Sequence, residues 1–100
     1  MCIAIKHMRI DFLLYGTECI LEFGDTRGFC FKGADFMGYG SEMESKEMWR
    51  IGESLDSLAR DWNFKTSSIE EFLATVQRAM LQNSGVESVS ISFDADTVDE

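Results

Sequence analysis

The chain has 100 residues, of which 45% are hydrophobic and 27% are charged, which is enough for one domain with its own core and too apolar for intrinsic disorder. The formal net charge is −9, and such a field repels nucleic acids and anionic membranes while it attracts basic partners. Proline is absent and no Ser/Gly-rich linker is found, so we expect a single domain over residues 1–100.

Both ends of the chain are predicted to contribute little to that domain. Met8 could be an alternative start, so residues 1–7 are interpreted as an N-terminal extension, and the acidic residues 94–100 as a frayed tail. Five apolar residues precede Lys6, too few for a signal peptide, and no run approaches the length of a membrane span. The three cysteines lack paired spacing and indicate reduced thiols, so we expect a cytoplasmic protein with no membrane contact.

Three short strands are predicted in the first third of the chain. Residues 8–15 alternate partly, with Ile10, Phe12 and Leu14 on one face, and Gly16-Thr17 is a turn signal. Residues 19–23 and 29–32 form the second and third strands, joined by the glycine-containing segment 24–28. This order predicts an antiparallel meander.

The middle of the chain is ambiguous. The three glycines within residues 33–40 indicate a bend, a bulge or a loop tip. The aromatic residues Phe36 and Tyr39 either form a contact loop or, as we favour, fold back onto the sheet, and residues 41–46 are polar. Residues 47–51 fit either a fourth strand or the start of a helix, because an apolar helical stripe also passes through this region. Gly52 lowers helix stability by about 1 kcal/mol relative to alanine, so we favour a short strand followed by a helix over residues 54–62.

The segment at residues 67–80 carries the most consistent helix pattern. Its apolar residues recur at helical spacing, and Ser67 with Glu70 has the spacing of a capping box. Asn83-Ser84-Gly85 supplies a stop signal, because glycine adopts a left-handed conformation without strain.

The last element is predicted to be a strand at or near an edge of the sheet. Val89, Ile91 and Phe93 alternate with serines, which is typical of a strand with one buried and one exposed face. The order β-β-β-(β)-α-α-β predicts an α+β fold: a mainly antiparallel sheet of four or five strands, a meander first, with two helices on one face.

No catalytic, metal or cofactor motif is found in the sequence. His7 is the only histidine, and Cys2, Cys19 and Cys30 have scattered spacing that does not match a structural zinc site. We therefore expect a protein that is not an enzyme, with no catalytic residue, no metal and no cofactor.

The remaining interpretation is an acidic binding protein that inhibits a basic partner. Its most concrete form is an immunity protein against a nuclease-type toxin, because a toxin's phosphate-binding cleft is basic and attracts an acidic inhibitor. Aromatic anchors typically dominate such interfaces. The predicted partner-binding residues are Tyr39, Glu42, Glu44, Glu47, Trp49, Glu53 and Asp56.

Two alternatives share these features. One is a phage- or plasmid-type inhibitor that mimics nucleic acid, such as an anti-CRISPR or anti-restriction protein, which would bind a nucleic-acid-binding defence protein and no nucleic acid directly. The other is a structural subunit or homodimer joined through the edge strand between Val86 and Phe93.

Overall fold

A computed structural model describes residues 2–24, 30–37, 42–62 and 69–98, and the side chains of residues 6–24, 31–34, 46–62 and 69–94. Its elements follow the order β-β-β-α-α-β, which confirms the predicted α+β class. They are β1 (Cys2–Leu14), β2 (Thr17–Gly24), β3 (Cys30–Met37), α1 (Glu42–Asp61), α2 (Ile69–Leu81) and β4 (Val86–Val98).

The four strands form one antiparallel sheet in the order β3-β2-β1-β4. β1 is therefore central: Ile10 pairs with Leu21 of β2 on one side and with Ile91 of β4 on the other. The predicted meander and the predicted edge position of the last strand are both confirmed. The start of β1 pairs with the end of β4, from Cys2 with Val98 to Ile5 with Ala95. Residues 2–5 and 95–98 therefore belong to strands.

Both helices pack on the same face of the sheet. α1 lies over β3 and β2, whereas α2 lies over β4. Between the layers lies a single core to which β1 contributes alternate residues, as its two-residue period requires. The core residues from the sheet and the helices are Met8, Ile10, Phe12, Leu14, Cys19, Leu21, Phe23, Met48, Ile51, Leu55, Ala59, Phe72, Val76, Met80 and Val86.

The preference for a strand at residues 47–51 was wrong, because α1 is continuous from Glu42 to Asp61. The competing helical stripe is the correct one, with Met48, Ile51 and Leu55 buried. The ring of Phe31 lies directly against Gly52, and a Cβ added at this position would approach that ring to 2.7 Å. Glycine therefore fits this position in spite of its low helix propensity. The glycine thus allows the edge strand β3 to contact the helix closely.

Of the alternatives for residues 33–40, the bulge is confirmed, whereas the third strand is longer than the predicted 29–32. β3 continues through Gly33 to Met37, and the register with β2 shifts beside Gly33, between Glu22 and Phe23. A glycine at a bulge is compatible with a strand, which the composition alone did not distinguish from a loop. Residues 38–41 and the capping serine Ser67 lie outside the described residues.

The β1–β2 hairpin is tied to the turn that follows α2. Its loop consists of Tyr15 and Gly16, both with positive φ, as a type I′ turn requires. The Tyr15 N–H donates a hydrogen bond of 2.9 Å to the Gly85 carbonyl. The ring of Tyr15 also lies over Gly85, where an added Cβ would come within 2.5 Å of it.

Replacing Gly52 with alanine should destabilise the protein, although alanine is the better helix former. The methyl group would collide with the Phe31 ring, and we expect a net loss of about 1–2 kcal/mol in the free energy of unfolding, measured by chemical denaturation. The matched control is Ser54→Ala on the exposed side of the same helix, which should leave stability equal or slightly higher. A stability gain in Gly52→Ala would contradict the close contact.

Gly85→Ala should cost more than Gly16→Ala, although both residues have positive φ. Each alanine would carry the penalty of roughly 1–2 kcal/mol for a left-handed conformation, and only the methyl group at residue 85 would also meet Tyr15. The difference in stability loss between Gly85→Ala and Gly16→Ala should become smaller in a Tyr15→Asn background, because asparagine removes the ring and tolerates positive φ. Equal costs at both glycines would contradict this packing.

Candidate functional site

The predicted partner-binding residues lie mainly on α1. Glu47, Glu53 and Asp56 come from this helix together with Trp49. Glu42 and Glu44 belong to its first turn, but their side chains are outside the described ones, and Tyr39 is outside the described residues.

Asp56 is engaged inside the fold. One of its carboxylate oxygens accepts a hydrogen bond of 3.0 Å from the backbone N–H of Phe31, and the other lies 3.0 Å from the Arg60 guanidinium one helical turn away. Its side chain is only 13% exposed. The carboxylate therefore connects α1 to the backbone of β3, and its charge is largely compensated by Arg60.

Trp49 is half-exposed and rests on a rigid support. Half of its surface is accessible, and its ring meets the ring of Phe31 edge-on at a centroid distance of 4.6 Å. The support restricts the rotamers of Trp49, so little conformational entropy would be lost if a partner covered it. Trp49 thus has the properties of an interface anchor.

The described side chains of α1 carry little net charge. Glu47, Glu53, Asp56 and Asp61 are negative, whereas Lys46, Arg50 and Arg60 are positive, which gives −1. Glu42 and Glu44 of the same helix are not in this sum, because their side chains lie outside the described ones.

The carboxylates collect instead on the sheet face opposite the helices, here called the open face. Alternation places residues 7, 9, 11 and 13 of β1 on this face, since residues 8, 10, 12 and 14 are buried in the core. The strand pairing adds outward residues from β2 and β4. Five carboxylates and two cations give a net charge of −3 among the described side chains: Asp11, Glu18, Glu22, Glu87, Asp94, Arg9 and Lys32.

One of the two cations of this group is paired within its own strand. Arg9 contacts Asp11, with its Nη2 3.1 Å from a carboxylate oxygen, and both side chains remain more than 40% exposed. Such an exposed pair contributes little to stability, but it neutralises Asp11. The other cation, Lys32, lies over Gly24 of β2 and stands against four carboxylates, Glu18, Glu22, Glu87 and Asp94.

Apolar side chains lie among these carboxylates. Ile20 is only 8% exposed, yet it does not belong to the core between the layers, because its side chain points to the open face. Its strand neighbours in the register are Asp11 and Asp35, and the half-buried Leu13 follows on β1. An apolar centre with a charged rim is the usual composition of a protein-binding surface.

The open face is not evident from acidic residues that are close along the chain, because its carboxylates come from separate strands. Glu18 and Glu87 are far apart in sequence and meet on one face only through the central strand β1, where both are in register with Leu13. Alternation within β2 places Glu22 on the face opposite Leu21 and Phe23. Summing the charges of the outward-facing residues of all strands would therefore have indicated the open face.

Groups with chemical reactivity are not clustered in the described part of the chain. Cys19 is buried and donates its S–H to the Thr17 carbonyl at 3.3 Å, as expected for a small hydrophobic residue of the hairpin. No set of three His, Cys, Asp or Glu side chains suited to a metal ion occurs among the described residues.

Comparison with protein families, curated proteins and solved structures found no match for this chain. Neither described helix combines the length and the apolar character that crossing a membrane requires.

Removing the Asp56 side chain should lower stability. Asp56→Ala leaves the Phe31 N–H without its acceptor, and we expect a loss of about 1 kcal/mol in the free energy of unfolding, since the site is only partly buried. Asp56→Asn retains an acceptor oxygen and should lose less. The exposed Asp61 is the matched control, and Asp61→Ala should change stability by less than about 0.5 kcal/mol. Equal stability of all three variants would show that the hydrogen bond contributes nothing.

Proposed function

We propose that this protein is a non-enzymatic inhibitor that binds a basic protein partner, and that its binding surface is the open face of the sheet. The observation that carries this proposal is the accumulation of Glu18, Glu22 and Glu87 around Ile20 and Leu13, with Asp94 farther along the same face, which neither helix covers. Carboxylates on such a face raise the association rate with a basic surface, and the partly exposed Leu13 supplies apolar contact area after docking.

The concrete form of the proposal is a cytoplasmic immunity protein against a nuclease-type toxin. A nuclease must hold phosphates, so its cleft presents Arg and Lys side chains that are complementary to the open face. The apolar centre favours this interpretation over a mimic of nucleic acid, because a mimic would need negative groups along the whole face rather than Ile20 and Leu13 in its middle.

The proposal is tested with two variants of equal net charge. In the open-face variant, Glu18, Glu22 and Glu87 are replaced with glutamine. In the helix variant, Glu47→Gln, Glu53→Gln and Asp61→Asn remove the same number of charges from α1. Removing three negative charges changes the net charge from −9 to −6 in both variants. A difference in binding between them therefore reports the position of the charges rather than their total.

Each protein is immobilised, exposed to lysate of the source cell at low salt and eluted with a salt gradient. We expect the unmodified protein and the helix variant to retain the same basic nuclease until high salt, and the open-face variant to release it at much lower salt. Inhibition of that nuclease by the unmodified protein completes the test.

Three outcomes would contradict the proposal. Retention of no protein would show that the charge serves only solubility. Loss of binding in the helix variant alone would show that the partner binds α1 rather than the open face. A retained defence protein that binds nucleic acid and has no nuclease-toxin activity would establish the mimic instead.

A further inference from the structure

β4 is an edge strand whose segment from Ser90 to Asp94 lacks the usual protection against pairing. It pairs with β1 and lies at the end of the sheet order, so alternate backbone N–H and C=O groups along its outer side have no partner strand among the described ones. Natural edges are commonly blocked by lysine, proline, bulges or a short length. β4 has 13 residues with neither lysine nor proline. Its pairing with β1 is irregular on both sides of the segment from Ser90 to Asp94, where Ser88 has a positive φ on one side, and it is regular within that segment.

An open groove runs along the helix side of this edge. It lies between α2 and β4 and has a volume of about 380 Å³. Apolar side chains form most of its lining, and Glu70 and Gln77 are the polar members. Phe93 extends the apolar strip along β4 and remains 39% exposed. The lining residues are Glu70, Leu73, Ala74, Gln77, Val89 and Ile91.

The other side of the same strand belongs to the open face. Ser90, Ser92 and Asp94 are exposed there, in alternation with Ile91 and Phe93, and Glu87 lies on the same face beyond the irregularity at Ser88. A strand added to β4 would direct successive side chains to opposite faces of the sheet. Its two sets of side chains would therefore meet an apolar groove on one face and carboxylates on the other.

We infer that β4 accepts an extended segment of a basic protein partner, in which apolar residues alternate with lysine or arginine. The apolar side chains fill the groove beside Leu73, Ala74 and Ile91, and the basic side chains pair with Glu87 and Asp94. This inference rests on the proposed function for the basic character of the partner, and adds the binding mode and the sequence pattern of the segment.

Charge favours this occupant over a second copy of the chain. Each copy carries −9, so self-association brings together two strongly negative molecules. A strand pair between two β4 edges would also bring the Glu70, Glu87 and Asp94 side chains of both copies to one seam, where no lysine or arginine of β4 could balance them.

The test uses a synthetic peptide of eight residues with blocked ends, in which valine alternates with lysine. It is titrated into the isotopically labelled protein, and binding is followed by the backbone amide signals. We expect saturable 1:1 binding that weakens with salt, with the largest shifts at residues 89–94. Ala74→Trp should weaken binding about ten-fold by filling the groove, and Gln82→Trp less than about two-fold. Both residues are exposed, so neither variant should disturb the core.

The controls decide each part of the inference. Equal affinity for a peptide of four valines followed by four lysines would show attraction by charge alone and overturn strand addition. Equal affinity for alternating valine and glutamate would overturn the basic character. A mass that doubles with protein concentration, and returns to the monomer in Ala74→Trp, would assign the edge to a second copy.

The inference and the proposed function fail separately. If the captured nuclease depends on Glu18, Glu22 and Glu87 but binds Ala74→Trp with unchanged affinity, the open face is the site and strand addition at β4 is overturned. If the alternating peptide binds β4 as expected while no nuclease is retained from lysate, the edge is a binding site and the inhibitor function is overturned.

Discussion

The architecture depends on the one-sided burial of the central strand β1. Met8, Ile10, Phe12 and Leu14 are at most 3% exposed, and they form the surface on which both helices pack. Because side chains alternate, the intervening residues must lie on the other face. A single layer of two helices buries the apolar face of the sheet, and neither helix covers the other face. The distribution of charge in this protein follows from that constraint.

The two helices have different consequences for binding. α1 is fixed to the edge strand β3 through Asp56 and through the contact of Phe31 with Gly52. The backbone N–H of Phe31 at this edge is therefore already bonded to the Asp56 carboxylate. α2 approaches β4 with a groove between them and leaves that edge open. The two edges of the sheet therefore differ: α1 is bonded to the backbone of β3, whereas the edge at β4 adjoins the groove and the carboxylates of Glu87 and Asp94. Function and fold are connected here, since the surface proposed for a basic partner continues around the edge of β4.

Local patterns predicted most of the fold but little of the candidate site. Alternation and helical spacing identified the meander, α2 and the edge strand because these patterns are contained within each segment. The start of α1 was missed because Gly52 was weighed by its helix propensity, whereas its role is a contact with Phe31 that is distant in sequence. The open face was missed for the same physical reason: Glu18 and Glu87 become neighbours of β1 only through strand pairing, which a search along the chain does not reveal.

The most direct test of the central claim is carboxylate footprinting of the complex with the captured nuclease. Exposed carboxylates are labelled in the free and the bound protein, and the modified residues are identified by mass spectrometry. We expect Glu18, Glu22, Glu87 and Asp94 to be protected on binding, and Glu53 and Asp61 on α1 to be labelled equally in both states. Protection of Glu53 and Asp61 with unchanged labelling of the open face would contradict the claim that the uncovered side of the sheet binds the partner.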